Sequence, residues 1–423
     1  MKESIKKRIE AVHRGEVPAG YVDTVAGFLP SEWSCALLHA ISEVLSEQAG
    51  DREFETLSIS AGIGFVNQAE KFGKELSGKQ YAKYTVLRRG DFAYNKGNSK
   101  RYPQGCTYML REREEAAVPN VFECFRITEG HPEYYEQLFI NGFMNKQLTR
   151  KINHGVRDDG LLNLTDEDFY STVLPVPPVA EQQKIAEILT ACDRVIELKR
   201  QLLEEKRRQK KWLMQELLDP NSAVRIPGFE CGKWKKLVIG EECEMFSGGT
   251  PKAGKDEYYA EGTIPFIRSG EIAGNKTELF LTKDGYNSSS AKMVEVGDLL
   301  YALYGANSGE CAISQINGAI NQAILCVRPK HIERKVLYYL LCSQKERIIA
   351  TYLQGGQGNL SAEIIKKLTV ELPIDQNHQR RIVEVLQAAD NDIVCYETEL
   401  EEWKQKKKAL MQLLLTGLVR VNA

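Results

Sequence analysis

The sequence lacks the residue patterns that most often mark metal binding or a disulfide framework. Its ten cysteines are widely spaced and form no C-x-x-C motif, and its six histidines form no H-x-x-x-H pair. Zinc sites and thioredoxin-like redox sites both depend on such close spacing. We therefore expect a cytoplasmic protein with reduced thiols and no metal site.

Membrane and targeting signals are also missing. The N-terminal segment Met1–Val17 is charged, is predicted to be helical and has no apolar stretch of the kind that a secretory leader contains. No later segment reaches the roughly 20 apolar residues that a membrane-spanning helix requires. The net charge is only −2, so any surface that binds nucleic acid must be local.

Catalytic motifs are incomplete. Gly249–Asp256 resembles a phosphate-binding P-loop, but Asp256 stands where Ser or Thr would bind Mg²⁺, and Pro251 removes a backbone N–H. Ala61–Gly64 does not complete a G-x-G-x-x-G motif, and the tetrad that base methylases carry does not occur. These absences together favour a binding protein over an enzyme.

A long internal repeat is the main positive feature of the sequence. Ile185–Leu218 aligns without a gap with Ile382–Leu415, at an offset of 197 residues. Apolar residues in both copies recur at alternating steps of four and three, which is the spacing of a coiled coil. Each copy predicts a helix of about 50 Å. A repeat this long indicates that a whole unit was duplicated, so the chain is predicted to be a pseudo-dimer.

The repeat extends into the segments before each helix. Short apolar runs separated by Gly, Asn and Pro predict β-rich domains there, with a few helices, one of them at Ile332–Tyr352. Prolines at Leu174–Pro178 and Leu372–Ile374 indicate the transition from strand to long helix. The predicted divisions are an N-terminal helical extension (1–24), a first domain (25–178), a first long helix (179–219), a second domain (220–374), a second long helix (375–417) and a C-terminal tail (418–423).

A basic and aromatic segment of the first domain is the strongest candidate for DNA contact. Lys79–Arg111 holds eight Lys and Arg residues against the single acid Asp91, with Tyr and Phe interleaved. DNA binding needs such local positive charge. The predicted DNA-binding residues are Lys83, Tyr94, Asn95, Lys96, Asn98, Ser99, Lys100, Arg101 and Tyr102. A solvated loop without a DNA role is the alternative.

The second domain offers candidates that are poorer in charge and richer in amides. Amide side chains read adenine in the major groove, but they also cap turns. The predicted DNA-binding residues here are Arg268, Ser269, Tyr304, Asn307, Ser308, Gln354, Gln357 and Asn359.

In their order along the chain, these elements resemble the specificity subunit of type I restriction–modification enzymes. The resemblance covers nearly the whole chain from about Val25. It is carried by Gly27-Phe28 with Trp33, repeated as Gly228-Phe229 with Trp234; by Gly90–Tyr94 and Gly297–Tyr301; and by Phe246–Pro251, Ile267–Glu271, Tyr304–Asn307, Asn321–Ile324 and Leu174–Ile185. The segment before the second helix, Leu372–Ile382, is one residue shorter and lacks the second proline pair.

The resemblance implies a mixed α/β (α+β) fold. Two β-rich target-recognition domains would be joined and separated by two long antiparallel helices, with a pseudo-two-fold internal repeat. Each domain would read one half of a bipartite double-stranded DNA site, and the helices would set the spacer. Two methylation subunits and a motor-nuclease restriction subunit would be the protein partners. Because S-adenosylmethionine and ATP bind those partners, we expect no cofactor and no catalytic residue in this chain.

Partner contacts are expected on the long helices. The predicted partner-binding residues are Gln182, Gln183, Lys206, Lys210, Gln379, Arg380, Trp403 and Lys407. The lysines within the seam, together with Lys199, have two interpretations. They are surface residues whose stems cover apolar area, or they leave the seam incomplete where partner helices add.

Other functions stay open at this point. One is the specificity subunit of a related system, in which cleavage and methylation are fused in one partner. A coiled-coil scaffold without a DNA role is another, and a nuclease or methylase in its own right is a third.

Overall fold

A computed structural model describes residues 3–73, 78–97, 102–152, 161–229, 232–252, 255–353 and 359–421 of the chain. These residues form two units. The first comprises Met1–Lys199 and Glu399–Ala423, and the second comprises Arg200–Thr398. Each long helix therefore contributes one part to each unit.

The first unit places a β-rich domain before the first long helix. Its strands are β1 (Tyr21–Thr24), β2 (Gly27–Pro30), β3 (Ser34–Leu37), β4 (Ser42–Val44), β5 (Leu57–Ser60), β6 (Gly64–Asn67), β7 (Thr85–Arg88), β8 (Phe92–Asn95), β9 (Cys106–Met109), β10 (Glu115–Val118), β11 (Glu123–Ile127) and β12 (Val173–Val176). Its helices are α1 (Glu3–His13), α2 (Gln68–Phe72), α3 (Pro132–Ile140), α4 (Asn145–Lys151) and α5 (Asp166–Tyr170), and the long helix α6 (Val179–Leu217) follows.

The second unit repeats this order. Its strands are β13 (Trp234–Val238), β14 (Cys243–Ser247), β15 (Ile264–Ile267), β16 (Leu279–Leu281), β17 (Lys292–Val294), β18 (Leu299–Ala302), β19 (Cys311–Ile313), β20 (Gly318–Ile320), β21 (Ile324–Pro329) and β22 (Thr369–Pro373). Its helices are α7 (Ile239–Glu242), α8 (Lys283–Asn287), α9 (Arg334–Ser343), α10 (Lys345–Tyr352) and α11 (Ala362–Lys367), and the long helix α12 (Gln376–Leu414) follows.

The central sheets of the two domains have the same strand order. The order is β4-β11-β8-β9 in the first domain and β14-β21-β18-β19 in the second, antiparallel throughout. The strand before each long helix pairs with the corresponding early strand, β12 with β3 and β22 with β13. The second domain adds the sheet β16-β15-β20-β17, in which β15 and β20 are parallel. The duplication predicted from the helices therefore includes the domains.

Each core contains residues from both long helices. In the first unit Ile185 and Leu189 of α6 and Leu414 of α12 pack with the buried rings of the domain. In the second unit the helix residues in the core are Leu217 of α6 and Ile382 of α12. The coiled-coil seam thus continues into the domain cores.

A glycine–aspartate turn before the third strand of each central sheet explains one of the repeated motifs. Gly90 and Gly297 have φ values of 93° and 94°, a region that favours glycine. The buried Asp298 carboxylate accepts from the Arg328 guanidinium at 2.6 and 2.9 Å. Asp91 accepts from Arg126 at 2.6 and 3.0 Å in the same way. Burial and Arg328 act in opposite directions on the pKa of Asp298, and the pKa is lowered overall.

The start of each long helix is fixed by an equivalent glutamine. Gln182 donates to the Pro177 carbonyl at 2.8 Å and accepts from the His131 backbone N–H at 2.9 Å. Gln379 donates to the Pro373 carbonyl at 2.8 Å and accepts from the Glu333 backbone N–H at 2.9 Å. The shorter segment before α12 therefore keeps the same connection between long helix and domain.

A second repeated contact joins the two long helices to the domain within each unit. In the first unit the Asp193 carboxylate accepts from Lys407 of α12 at 2.6 Å and from Gln137 of α3 at 3.3 Å. In the second unit Asp390 pairs with Lys210 of α6 and accepts from the Tyr339 hydroxyl of α9 at 2.6 Å. We call each such set a carboxylate node. Both nodes follow the 197-residue offset, since Asp193 corresponds to Asp390 and Lys210 to Lys407.

The residue one turn into each long helix differs between the units. Glu181 is buried and accepts from the Trp33 indole at 3.0 Å and from Arg420 of the C-terminal tail at 2.7 Å. The corresponding His378 is 3% exposed and stacks on Phe229, with 4.7 Å between ring centroids. Burial lowers the pKa of His378, so the second unit favours the neutral imidazole.

Several sequence expectations need correction in detail. The helix predicted at Ile332–Tyr352 is divided into α9 and α10 at Gln344. Each long helix has 39 residues, more than the repeat alone indicated. The predicted N-terminal extension holds α1 and also β1, which pairs with β2 of the domain. No helix among the described residues has the length and apolar character that crossing a membrane demands.

The carboxylate node of the second unit predicts a measurable stability effect. Asp390→Ala removes the acceptor shared by Lys210 and Tyr339 and leaves both donors partly buried. We expect a loss of about 1–3 kcal/mol in the free energy of unfolding, measured by urea denaturation. The control is Glu384→Ala, because its partner Arg381 is 56% exposed on the same helix; this change should cost about 0.5 kcal/mol or less. Equal losses would show that the node contributes no more than a surface ion pair.

Acid should destabilise the second unit through His378. The unfolded imidazole binds a proton near pH 6.5, whereas the folded imidazole does so only at lower pH. This contribution to stability is complete above about pH 6.5 and declines as the pH falls below it. Urea denaturation between about pH 5 and 8 should therefore show a slope that His378→Phe flattens. The exposed His39 provides the control: His39→Gln should keep the wild-type slope, and an unchanged slope in His378→Phe would contradict the assignment.

Candidate DNA interface

The predicted DNA-binding loop of the first domain connects the hairpin strands β8 and β9. The Lys96 carbonyl accepts from the Leu162 N–H at 2.9 Å, and Gly97 forms an isolated bridge with Leu161. The Asn95 carboxamide oxygen accepts from the Gly97 N–H at 2.8 Å, which shapes the start of the loop. This end of the hairpin is therefore attached to the segment that leads into α5. The predicted residues Asn98, Ser99, Lys100 and Arg101 lie outside the described residues, as do Gln354 and Gln357.

Tyr94 is a core residue and does not face solvent. It is 1% exposed, its ring stacks on Phe169 at 4.4 Å, and its hydroxyl donates to the Gln104 carbonyl at 2.8 Å. The prediction that Tyr94 contacts DNA is corrected for this reason. Tyr84 and Phe92 of the same segment are buried as well.

Ion pairs neutralise much of the basic segment. Lys96 pairs with Glu123 at 2.8 Å and with Asp166 at 2.6 Å, so its ammonium group is engaged inside the domain. Further pairs join Arg88 to Glu47 and Glu115, Arg89 to Glu114, and Arg111 to Glu136. Lys83 is exposed at the end of a short 3₁₀ turn, and the Tyr102 hydroxyl lies against Gly62. The density of positive charge along the sequence is therefore higher than the density on the surface.

A cavity of about 560 Å³ lies between the β8–β9 hairpin, α3 and the long helices of the first unit. Its lining includes Tyr108, Glu136 and Gln137 of the domain and Lys407 of α12. Burial raises the pKa of Glu136, although its partner Arg111 opposes this. Among the described residues no group of three or more His, Cys, Asp or Glu side chains is arranged to hold a metal ion.

The second domain brings several predicted residues together at one end of its central sheet. The Leu303 carbonyl accepts from the Leu360 N–H at 3.0 Å, and Tyr304 forms an isolated bridge with Asn359. Gly270 lies against Asn307, since a Cβ atom at Gly270 would be 3.3 Å from the Asn307 amide nitrogen. The loops that carry Ser269, Asn307 and Asn359 thus form one cluster, which we call the loop cluster.

Two members of this set have structural roles that the sequence did not indicate. The Arg268 guanidinium donates to Glu271 at 2.9 and 3.1 Å and to Glu278 at 2.6 Å. Hydrogen bonds from Arg268 lower the pKa of Glu271 to about 2. The buried Ser308 hydroxyl donates to the Leu303 and Gly305 carbonyls at 3.2 and 2.8 Å. Arg268 and Ser308 therefore stabilise their own turns, and the prediction that they bind DNA is corrected accordingly.

Three exposed lysines lie near the end of the β16-β15-β20-β17 sheet where Ser269 of the loop cluster follows β15, and sequence reasoning missed them. Lys276 precedes β16, Lys292 begins β17, and Lys252 follows a turn whose Gly249 lies against Ser290. The pairings Phe266↔Leu279 and Lys292↔Ile320, together with parallel β15 and β20, place Lys276 and Lys292 at the same end of the sheet. Within the described chain none of the three forms an ion pair. They are separated by 24 and 16 residues along the sequence, so no local pattern reveals them.

The predicted partner-binding residues divide into three groups. Lys407 and Lys210 belong to the carboxylate nodes, and Lys206 and Lys199 pair with Asp392 at 3.3 Å and Glu399 at 2.6 Å of the other helix. Gln182 and Gln379 are buried at the helix starts, so neither group is free for a partner. Gln183 and Arg380 are exposed, and Trp403 is half-buried with Lys406 over its ring.

The seam lysines have a role that neither interpretation named. These lysines form ion pairs between the long helices inside each unit.

Comparison with known proteins identifies the family. Residues 127–206 and 232–405 match the family model described as the type I restriction modification DNA specificity domain. The putative type I restriction enzyme MjaX specificity subunit of Methanocaldococcus jannaschii is 24% identical, over 94% of this chain and 96% of its own. The MjaVIII specificity subunit of the same organism is 26% identical, over 62% of this chain and 66% of its own.

Solved structures agree on the fold. One chain, from work described as the structural basis underlying complex assembly and conformational transition of the type I R-M system, has a TM-score of 0.61 at 18% identity and covers 92% of this chain and 99% of its own. The type I restriction-modification system S subunit from M. genitalium has a TM-score of 0.55 at 14% identity, with coverage of 92% and 97%. The duplicated fold and the family match lead to one conclusion: this chain belongs to the family of type I restriction–modification DNA specificity domains.

Proposed function

We propose that this chain is the DNA-recognition subunit of a type I restriction–modification complex and has no catalytic activity of its own. Each domain reads one half of a bipartite double-stranded site. S-adenosylmethionine and ATP bind to the methylation and motor-nuclease partners. The observation that carries the proposal is the loop cluster of the second domain, because its residue Ser269 follows β15 at the end of the β16-β15-β20-β17 sheet where three exposed lysines lie. Among the described residues these lysines have no acidic partner.

The chemistry of this end suits a duplex. Lysine ammonium groups bind phosphates without regard to sequence, and they orient the protein on the backbone. Asn307 and Asn359 can donate to and accept from base edges in the major groove. The lysines would thus position the protein on the DNA backbone, and the asparagines would recognise the bases.

The long helices support a spacing role. At about 1.5 Å per residue, 39 residues give a helix of about 58 Å, longer than the roughly 34–36 Å of one DNA turn. The ion pairs between the helices hold them in a defined register within each unit. We infer that helix length sets the gap between the two half-sites.

The methylation subunits are proposed to dock on apolar residues that the helices leave exposed. These are Val179 and Leu198 in the first unit and Leu202, Trp212 and Val394 in the second. Leu198 and Leu202 are four residues apart and therefore lie on the same face of α6, and contiguous exposed apolar surface is typical of protein–protein contacts. They take the place of the seam lysines as the expected contact residues.

Removing the three lysines should weaken DNA binding and reduce its dependence on salt. For Lys252, Lys276 and Lys292 changed together to Ala, the slope of log affinity against log salt should fall by up to about three phosphate contacts. Fluorescence anisotropy with a labelled duplex at several salt concentrations measures this. The matched control is Lys283→Ala. Lys283 is also exposed and unpaired within the described chain, but the pairing Ile264↔Leu281 places it at the opposite end of the sheet. An unaltered slope in the triple variant would remove this end of the sheet from the interface.

Lengthening both helices should lengthen the recognised spacer. One heptad inserted after Lys206 in α6, and another before Asp392 in α12, keeps the seam in register and adds about 10 Å, or about three base pairs. Mapping methylated bases in DNA modified by the assembled complex reports the new spacer. The same seven residues inserted after Asn221, in the connection that follows α6, should leave the spacer unchanged. If the helix variant recognised a spacer of the wild-type length, helix length would not set the gap between the half-sites.

A further inference from the structure

Two cysteines meet beside the loop cluster of the second domain. Cys311 is the first residue of β19 and directly follows the hairpin loop that carries Asn307, while Cys342 lies in the last turn of α9. The strand and the helix pack together, and the two cysteine side chains interact with each other. Both residues are only partly buried.

The pKa of the Cys342 thiol is lowered from its ordinary value, whereas burial raises the pKa of the Cys311 thiol. The interaction with the Cys311 side chain is the largest effect that lowers the pKa of Cys342. Burial opposes it, and the Tyr338 hydroxyl and the positive charge of Lys210 lower the pKa further. A thiolate is the nucleophilic form of cysteine, and a second thiol beside it can complete a disulfide. Cys342 also lines an open cleft of about 230 Å³ with Lys210 and Lys345, which gives a small oxidant access to it.

The thiol pair is particular to the second unit. The register Tyr94↔Thr107 in the first unit corresponds to Tyr301↔Cys311 in the second, so Thr107 stands in the place of Cys311. The node residues Gln137 and Tyr339 correspond, and three residues after each come Ile140 and Cys342. The shared frame therefore does not require these cysteines, and the first unit serves as an internal comparison.

The thiols lie where the hairpin loop is attached to the helices. Gly309 donates to the Ala302 carbonyl at 2.9 Å, and the Cys311 thiol donates to the Gly309 carbonyl at 3.8 Å. Glu310 pairs with Lys345 of α10. A covalent bond from Cys311 to α9 would change the position of this loop base, and with it the loop that holds Asn307.

We propose that Cys311 and Cys342 form a peroxide-sensitive dithiol, and that their disulfide weakens DNA binding by the second domain. The second half of this proposal rests on the proposed function. Disulfides in a reducing compartment are transient and often serve in redox sensing. Such a disulfide could inhibit DNA recognition reversibly.

The chemistry balances with hydrogen peroxide as the oxidant. The Cys342 thiolate attacks one peroxide oxygen, the O–O bond breaks, and hydroxide leaves and takes a proton to become water. The Cys342 sulfenic acid that results is attacked by the Cys311 sulfur, and its oxygen leaves as a second water with the Cys311 proton. Two thiols are thereby oxidised to one disulfide, and one hydrogen peroxide is reduced to two waters. A dithiol reductant reverses the step by exchange.

Peptide mapping tests whether peroxide forms the disulfide between Cys311 and Cys342. The full chain is treated with hydrogen peroxide, alkylated and digested, and the peptides are identified by mass spectrometry. We expect a Cys311–Cys342 cross-linked peptide that dithiothreitol removes. It should vanish in Cys311→Ser and in Cys342→Ser, and it should persist in Cys35→Ser, which removes an exposed thiol of the first unit. Alkylation of both thiols after peroxide, or a disulfide from Cys342 to another cysteine, would overturn the assignment.

DNA binding tests the regulatory half, with a duplex that carries the sequence methylated by the complex. Oxidised chain should bind more weakly than reduced chain, dithiothreitol should restore binding, and Cys342→Ser should respond to neither reagent. If the disulfide forms while the affinity for DNA stays the same, the proposed effect on DNA binding is wrong, but the proposed peroxide-sensitive dithiol is supported. If neither form binds DNA, the proposed function and the regulatory half fail together, whereas the peptide map still decides the dithiol.

Discussion

A shared carboxylate is the interaction on which the rest of each unit depends. Asp193 in the first unit and Asp390 in the second each accept from a lysine of the opposite long helix and from a side chain of the adjacent domain. One group therefore sets two relationships at once: the register of the helices and the rotation of the domain about them. Because the lysines are largely withdrawn from water, losing the acceptor costs more than losing a surface ion pair. The glutamines at the helix starts add a second fixed point.

The helices and their duplication could be predicted from the sequence because periodicity is a local property. The 4–3 spacing and the 197-residue offset need no knowledge of what packs against what. The seam lysines show the limit of such reasoning. Lys407 occupies a position of the apolar 4–3 spacing, and its presence there is explained only by the ion pair with Asp193. These two residues are 214 positions apart in the sequence. Likewise, no Pro or Gly marks the break at Gln344 between α9 and α10.

The candidate interface was predicted less well, for a related reason. Lys79–Arg111 holds many cations, but their acidic partners, such as Glu47 and Glu136, come from other parts of the chain. Tyr94 was chosen for its aromatic ring, and the same ring makes it a core residue. Conversely, Lys276 and Lys292 share one end of their sheet only because β15 and β20 run parallel. Amide-rich loops were predictable as turns, and the bridge between Tyr304 and Asn359 brought two of them together.

The division of the long helices between two cores also sets an order of events during synthesis. The second unit is one continuous segment, Arg200–Thr398. Its core can therefore form as soon as that segment has left the ribosome. The first unit begins earlier but needs Met411, Leu414 and Leu415 for its core and Arg420 for its buried Glu181. The domain that is made first is therefore completed last. Until then its apolar surface stays open, which is the condition under which nascent chains depend most on chaperones.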